Sequence, residues 1–281
     1  IISLNDVGDL TYSYKFLDGK TQTIKDITEN KNEVSKNIIE AKKPMIILGE
    51  SFLNNKSAKY LFHSLKAFLV ANNKFTDDWN PLNILSVDAA KVGSLDLDII
   101  NQNDNLIKEL YNNKYELVYL LGQDNLSFNK KNEFIIYQGS HGDKGAEIAD
   151  IILPGAAYTE QSGHYTNLEG KVQKAYKASY PPGDAKEDWQ IINELAELMN
   201  NRKLFNDIDE LESSMLNFLN LKKEKQKVVS NNQNIQNNFE NEILKINIKD
   251  YYFSNVIARA SKTMLDCNNS KLNIKRTGTE G

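Results

Sequence analysis

The chain has 281 residues, 40% hydrophobic and 26% charged, which is the composition of a soluble globular protein with room for one large or two modest domains. Its formal net charge is −4 and only three residues are arginines, so the composition argues against a surface that binds nucleic-acid phosphates. The single cysteine, Cys267, excludes an intrachain disulfide and an iron–sulfur cluster held by this chain alone.

Most of the chain predicts strands that alternate with helices. Short apolar runs that end in glycine, such as the one ending at Gly49, are typical of buried parallel strands. Apolar residues at helical spacing predict a helix over 57–70 with one buried face. In chain order, the predicted elements are strand 10–14, a turn at 18–19, a helix from about 24, strand 45–49, helix 57–70, strand 83–87, helix 106–111, and strands 117–122, 134–137 and 148–155.

This alternation predicts the fold class. Strands that follow one another through helices form βαβ units, so we expect an α/β fold with a Rossmann-like, mostly parallel sheet covered on both faces. No internal repeat accompanies the pattern. We assign residues 1–199 to this α/β domain.

The remainder of the chain predicts a helical carboxy-terminal extension. Asp184 is the expected N-cap of an amphipathic helix that runs through Met199. Residues 200–247 contain a Lys/Gln/Asn-rich stretch with few large apolar side chains and predict a flexible linker or a solvated helix. Residues 248–281 predict a docking helix, from Asp250 to Leu265, and a tail. The apolar side of the first of these helices is predicted to contain Trp189, Ile192, Leu195, Ala196 and Met199.

Two features bear on targeting. No apolar run reaches the ~18 residues that a membrane span needs, so we expect no direct membrane span. The sequence starts with Ile1-Ile2-Ser3 instead of Met or a signal peptide, and we expect it to begin inside a longer or processed polypeptide.

One glycine-rich loop is a candidate ligand site. Residues 139–145, Gly-Ser-His-Gly-Asp-Lys-Gly, follow a predicted strand, where doubly wound folds bind ligands. Their spacing, G-x-x-G-x-x-G, differs from the dinucleotide fingerprint G-x-G-x-x-G. We therefore interpret the loop as a tight, positive-φ connection that serves packing.

Other catalytic interpretations have little support. Gly19-Lys20-Thr21 ends like a phosphate loop, but Tyr14 stands where that motif needs its first glycine. The histidines lack the close spacing of metal ligands, and we interpret His141 and His164 as structural. Ser162 lacks the flanking glycines of a nucleophile elbow. We predict no catalytic residue and no metal site in this chain.

One long segment carries a specific resemblance. Residues 149–160, Ala-Asp-Ile-Ile-Leu-Pro-Gly-Ala-Ala-Tyr-Thr-Glu, continue into 163–173, Gly-His-Tyr-Thr-Asn-Leu-Glu-Gly-Lys-Val-Gln. The segment resembles the A-D-[IV]-[IV]-L-P…E-x-x-G-x-[YF]-x-N-x-E-G-R-x-Q signature of the molybdopterin oxidoreductase superfamily. Lys171 stands where the superfamily commonly has Arg.

Within the superfamily, the chain is similar to the carboxy-terminal half of the largest iron–sulfur subunit of respiratory complex I, of the mitochondrial type. Residues 134–143, 154–160, 181–183, 187–189, 248–252 and 259–264 carry this likeness. The resemblance implies a non-catalytic structural module of the peripheral, matrix-side arm of NADH:ubiquinone oxidoreductase at the mitochondrial inner membrane.

The resemblance also implies cofactors and partners. This chain would bind no cofactor, and the iron–sulfur clusters and FMN would lie in partner chains. The partners would be other subunits of the peripheral arm and the amino-terminal, cluster-bearing half of the same subunit, which we expect to be a separate chain. The redox activity of NADH dehydrogenase would belong to the assembly.

Two other functions stay open. The chain could be a molybdenum or tungsten oxidoreductase domain that binds a pterin dinucleotide, or a free-standing binding protein that reuses the fold. Metal analysis distinguishes the first and migration as a free monomer the second. If the first holds, the candidate cofactor-binding residues are Gly139, His141, Gly142, Asp143, Asn167 and Lys171.

Overall fold

The computed structural model describes residues 1–99, 105–225, 238–245 and 251–273. Contacts group the chain into two compact units. Unit 1 contains Ile1–Ala89 and Gln226–Ile248, and unit 2 contains Ala90–Lys225 and Lys249–Gly281. The domain limits at 199 and 247 stay predictions.

Unit 1 is a two-stranded parallel sheet covered by helices. Strands β3 and β4 pair in parallel, with Leu48 opposite Ile84. Helix α4 buries Leu61, Leu65 and Leu69 in the core of the unit because they recur at helical spacing. Its elements are β1 (Ile2–Ser3), β2 (Lys15–Phe16), α1 (Thr21–Thr28), α2 (Glu33–Glu40), β3 (Ile46–Gly49), α3 (Glu50–Leu53), α4 (Ala58–Ala71) and β4 (Leu82–Leu85).

The strand predicted at 10–14 is wrong. Those residues belong to a loop, and the strand that follows it is the two-residue β2, which pairs with β1. The hydroxyl of Tyr14 closes the loop, since it lies 3.0 Å from both Asp6 Oδ1 and the carbonyl oxygen of Gly8. The aromatic alternation favoured a strand, but these local side-chain hydrogen bonds offer the backbone a turn instead.

Residues 238–245 pack into unit 1. The backbone N–H of Leu244 donates to the carbonyl of Gly19 at 2.8 Å, and that of Thr21 donates to the carbonyl of Glu242 at 2.9 Å. Leu244 is buried in the same core cluster as α4. This part of the segment predicted as a linker is therefore paired with the turn before α1, while 226–237 lie outside the described residues.

Unit 2 is built on a three-stranded parallel sheet and an antiparallel hairpin. The sheet has the order β5-β6-β7, and its core cluster buries Leu120, Ile135 and Tyr137. The predicted α/β class is confirmed. Its elements are α5 (Lys91–Asp96), α6 (Leu106–Tyr111), β5 (Leu117–Leu121), β6 (Phe134–Gly139), α7 (Lys144–Glu147), β7 (Ile151–Pro154), β8 (Gly163–Thr166), β9 (Val172–Ala175), α8 (Asp188–Asn200), α9 (Ile208–Lys225), α10 (Val256–Ala260) and α11 (Lys262–Asn273).

The N-cap predicted for α8 is wrong by three residues. Glu187, not Asp184, caps the helix through a reciprocal capping box with Gln190, which satisfies two backbone N–H groups at the start of the helix. The predicted apolar stripe is also wrong in part, since Met199 is 80% exposed and Ile192 is 38% exposed. Ile191 is buried in their place.

The predicted final helix is in fact three shorter elements. A 3₁₀ turn at Tyr251–Phe253 precedes α10 and α11, which are separated by the extended backbone of Ser261. The side chain of Asn255 caps α10 by accepting from the N–H of Ala258 at 2.9 Å, so a new helix begins there. Asp250, the predicted start, lies outside the described residues. No helix that the structure describes is long and apolar enough to cross a membrane.

Candidate functional site

The candidate site is the carboxyl edge of the β5-β6-β7 sheet, where the loop 139–145 leaves β6. The positive φ predicted for its glycines is wrong, because none of them is among the glycines with positive φ. Close approach explains two of them instead. A Cβ atom on Gly139 would overlap the Tyr137 ring, and one on Gly145 would lie 2.6 Å from the Gln123 carbonyl oxygen. Gly142 faces open space.

Polar groups of the loop bind other groups of the protein. The N–H of Gly145 donates to the carbonyl of Asp124 at 2.9 Å, and the N–H of Lys144 donates to Asp143 Oδ1 at 2.8 Å. The buried hydroxyl of Tyr137 donates to the carbonyl of His141 at 2.8 Å. Burial, with the charges of Asp124 and Asp143, raises the pKa of Tyr137 to about 12, so this donor stays protonated. These contacts close the loop on the sheet.

A buried polar network lies beside the loop. Gln138, at the end of β6, is 0% exposed and donates from Nε2 to Asp188 Oδ1 at 2.7 Å. Its Oε1 accepts a hydrogen bond from the Tyr119 hydroxyl. The second oxygen of Asp188 accepts from Gln161 Nε2 at 3.1 Å. The network joins β5, β6 and the start of α8, and it satisfies the polar atoms that burial would otherwise leave unpaired.

Arg259 reaches the same edge from the C-terminal segment. Its Nη2 donates to Asp124 Oδ2 at 2.6 Å and its Nε donates to Asp143 Oδ2 at 2.8 Å. Burial of Asp143 opposes its ionisation, but the hydrogen bonds from Arg259 and from the Lys144 N–H outweigh it and lower the pKa of that carboxyl. The two strand-end loops are therefore tied to α10 by one guanidinium.

The other candidate residues lie in the β8-β9 hairpin. Asn167 Oδ1 accepts from the N–H groups of Glu169 and Lys171 at 3.0 and 2.9 Å, which shapes the turn together with the positive φ of Gly170. Within the described residues, no hydrogen bond or ion pair joins this turn to the loop 139–145. The six candidate residues therefore belong to two separate groups, each with its own local role.

Sequence reasoning missed the residues that organise this edge. Gln138 could have been noticed as a polar residue at the end of an apolar strand. Asp188 and Arg259 carried no local signal, because their partners lie far away in the sequence. In the part of the chain that the structure describes, no three His, Cys, Asp or Glu side chains could together hold a metal ion.

A cavity adjoins this network in unit 2. It has a volume of about 510 Å³, and its walls include the aromatic side chains of Trp189, Phe205 and Phe218 together with Met215. His164 and Asp188 supply polar groups at its surface. A mostly apolar lining of this kind suits an apolar group better than a phosphate.

Comparison with known proteins gives two matching families. Residues 1–198 match the family Molybdopterin oxidoreductase, and residues 210–267 match the family NADH-ubiquinone oxidoreductase G, C-terminal. The chain is 34% identical to the NADH-ubiquinone oxidoreductase 75 kDa subunit of Reclinomonas americana, over 95% of this chain and 40% of that protein.

Two further relatives agree with this match. The mitochondrial NADH-ubiquinone oxidoreductase 78 kDa subunit of Candida albicans is 36% identical, over 83% of this chain and 34% of that protein. The mitochondrial 78 kDa subunit of Neurospora crassa is 33% identical, over 94% of this chain and 37% of that protein. The chain spans no more than 40% of the length of these three relatives.

The residues present at the sheet edge do not fit a pterin dinucleotide. Such a ligand needs cations or free backbone N–H groups for its pyrophosphate. Here two carboxylates, Asp124 and Asp143, face one guanidinium, so the cluster carries a net negative charge that repels an anion. The N–H groups of Lys144 and Gly145 already donate to protein oxygens.

Proposed function

Because the chain belongs to the molybdopterin oxidoreductase family, we propose that it is a non-catalytic structural module of the peripheral arm of NADH:ubiquinone oxidoreductase. In this role it supports electron transfer from NADH to ubiquinone without a reacting group of its own. The proposal is supported by the names of the relatives and by the second family match at 210–267.

The observation that carries the proposal is the sheet edge filled by the protein's own side chains. A fold alone does not identify a function, so the contents of this site carry more weight than the fold. Gln138 and Asp188 bind each other, and Arg259 lies between Asp124 and Asp143. An edge organised in this way supports packing of the C-terminal segment rather than exchange of a ligand.

Cofactors and partners follow from the same proposal. The chain binds no cofactor, and the iron–sulfur clusters and FMN lie in other chains of the complex. Its partners are the amino-terminal, cluster-bearing half of the same subunit, as a separate chain, and other subunits of the peripheral arm. The complex lies at the mitochondrial inner membrane, with this module on the matrix side. The mitochondrial relatives and the single cysteine support this part.

Native electrophoresis of a tagged chain tests membership of the complex. We expect the chain to migrate with NADH dehydrogenase activity and flavin, and the purified chain alone to contain no stoichiometric iron, molybdenum or tungsten. Migration as a free monomer would favour an autonomous binding protein, and about one molybdenum or tungsten per chain would favour the catalytic alternative.

A matched pair of glycine variants tests the structural role. Gly145→Ala places a methyl group 2.6 Å from the Gln123 carbonyl oxygen, whereas Gly142→Ala adds it in open space. We expect Gly145→Ala to lower the amount of assembled complex, while NADH oxidation per flavin stays near normal in both variants. His141→Ala should behave in the same way. Normal assembly with turnover reduced about 100-fold would instead identify the loop as a catalytic site.

A further inference from the structure

The side chain of Arg259 is bound by three acceptors from different parts of unit 2. Its Nε and Nη2 donate to Asp143 and Asp124, and its Nη1 lies 3.4 Å from the carbonyl oxygen of Phe253. The side chains of the ion-paired residues are only about one-fifth exposed, at 21% for Arg259, 19% for Asp124 and 21% for Asp143. We propose that the carboxyl edge of the β5-β6-β7 sheet is a guanidinium-binding site that Arg259 fills in cis.

The two carboxylates are held in place by contacts that do not involve Arg259. Asp143 uses Oδ1 to accept from the Lys144 N–H at 2.8 Å, which leaves Oδ2 for the guanidinium. The loop that carries Asp124 is held by the Gly145 N–H at 2.9 Å. Because Gly145 has no side chain, the loops after β5 and β6 approach closely enough for both carboxylates to contact one cation.

The shape of this site selects a guanidinium over other cations. A guanidinium presents N–H donors in a rigid plane, so Nε and Nη2 can each point at a different carboxylate. An ammonium group is a compact, strongly hydrated charge without that fork. Anions are excluded, since the two carboxylates outnumber the single positive charge between them.

The site makes the position of the C-terminal segment depend on one side chain. Arg259 belongs to α10, whereas Asp124 and Asp143 belong to the two strand-end loops. Without the guanidinium, two partly buried carboxylates would face each other uncompensated, which disfavours the closed arrangement. We therefore expect α10 and the loop 139–145 to open together when Arg259 is removed.

Hydrogen exchange of the full chain with chemical rescue tests the site. In Arg259→Ala, the amides of Lys144, Gly145 and Ala258 should exchange roughly tenfold to a hundredfold faster than in the unsubstituted chain. Methylguanidinium at millimolar concentration should restore protection of Lys144 and Gly145 in a saturable way. Methylammonium at the same concentration controls for charge and ionic strength and should restore much less. Arg259→Lys should stay partly unprotected for the same reason.

The outcome is decisive in either direction. The chain that combines Arg259→Ala with Asp124→Asn and Asp143→Asn should not respond to methylguanidinium. Unchanged exchange in Arg259→Ala, or equal rescue by methylammonium, would overturn the proposal. If Arg259→Ala does not fold, Asp143→Asn in the otherwise unchanged chain gives the same test, because exchange at Ala258 must then increase. The result does not depend on whether the chain joins NADH:ubiquinone oxidoreductase.

Discussion

Helices α4 and α8 began as the same kind of prediction and ended in opposite environments. Both carry large apolar side chains at helical spacing. In α4 the predicted residues are buried, with Leu61 and Leu69 at 0% exposure. In α8 part of the predicted stripe faces outward, and the buried positions are Ile191 and Asn193. Periodicity therefore shows that a helix has an apolar side, but the partner that covers this side is decided elsewhere in the chain.

Asn193 shows what decides the difference. Its Oδ1 accepts from the N–H groups of Leu204 and Phe205 at 2.7 and 3.1 Å, and its Nδ2 donates to the Phe205 carbonyl at 2.8 Å. These bonds fold the segment after α8 back along the side of the helix that bears Asn193 and Ile191. The segment therefore covers that side and leaves Met199 exposed.

Leu61→Ala in α4 should have the largest effect. Leu61 is fully buried, so its truncation removes transfer free energy and leaves a cavity, and the free energy of unfolding should fall by about 3–5 kcal/mol. Denaturant unfolding measures the change. Lys59→Ala, at an exposed position of the same helix, is the control and should change stability by less than about 0.5 kcal/mol. A similar small loss in Leu61→Ala would remove the contrast between the helices.

Ile191→Ala and Ile192→Ala compare neighbouring residues of α8 with the same side chain. Ile191 is 7% exposed and Ile192 is 38% exposed. We expect Ile191→Ala to lower the free energy of unfolding by about 2–3 kcal/mol, and Ile192→Ala by less than about 1 kcal/mol. The reverse order in denaturant titrations would support the stripe predicted from the sequence.

Acid titration extends the comparison to the sheet edge, which is held by charge rather than by apolar contact. The pKa of Asp143 is lowered from its usual 3.8 in the folded chain, so the ionised carboxylate stabilises the fold above that value. This contribution is lost as the pH falls through the lowered pKa. In Asp143→Asn, the loss of stability below about pH 4 should become shallower, by about 1 kcal/mol. Identical pH profiles would show that Asp143 does not stabilise the edge.

Met199→Ser should have the smallest effect. The side chain is 80% exposed, so its loss changes little buried apolar area, and the free energy of unfolding of the isolated chain should change by less than about 0.5 kcal/mol. A loss above about 1 kcal/mol in the same denaturant assay would show that Met199 is covered in solution. The contrast between α4 and α8 would then disappear at the C-terminal end of α8.

The parallel strands were predictable because their signal is local. The apolar runs at β3, β5 and β6 are short, end in glycine or near it, and match the observed strands within two residues. The hairpin β8-β9 was recognised through its signature residues rather than as a hairpin, since its turn depends on the side chain of Asn167. The loop 10–14 failed for a related reason, because a hydroxyl of Tyr14 outweighed strand propensity.

The sequence alone determined the α/β class, the superfamily signature and the strand from which the candidate loop leaves, because each of these depends on residues that are near one another in the chain. Only the tertiary structure decided which side of α8 is covered and what fills the sheet edge. Arg259 lies 135 residues from Asp124 and 116 from Asp143. Contacts over such separations leave no periodic trace in a single sequence, since they form only where the folded sheet brings the ends of its strands together.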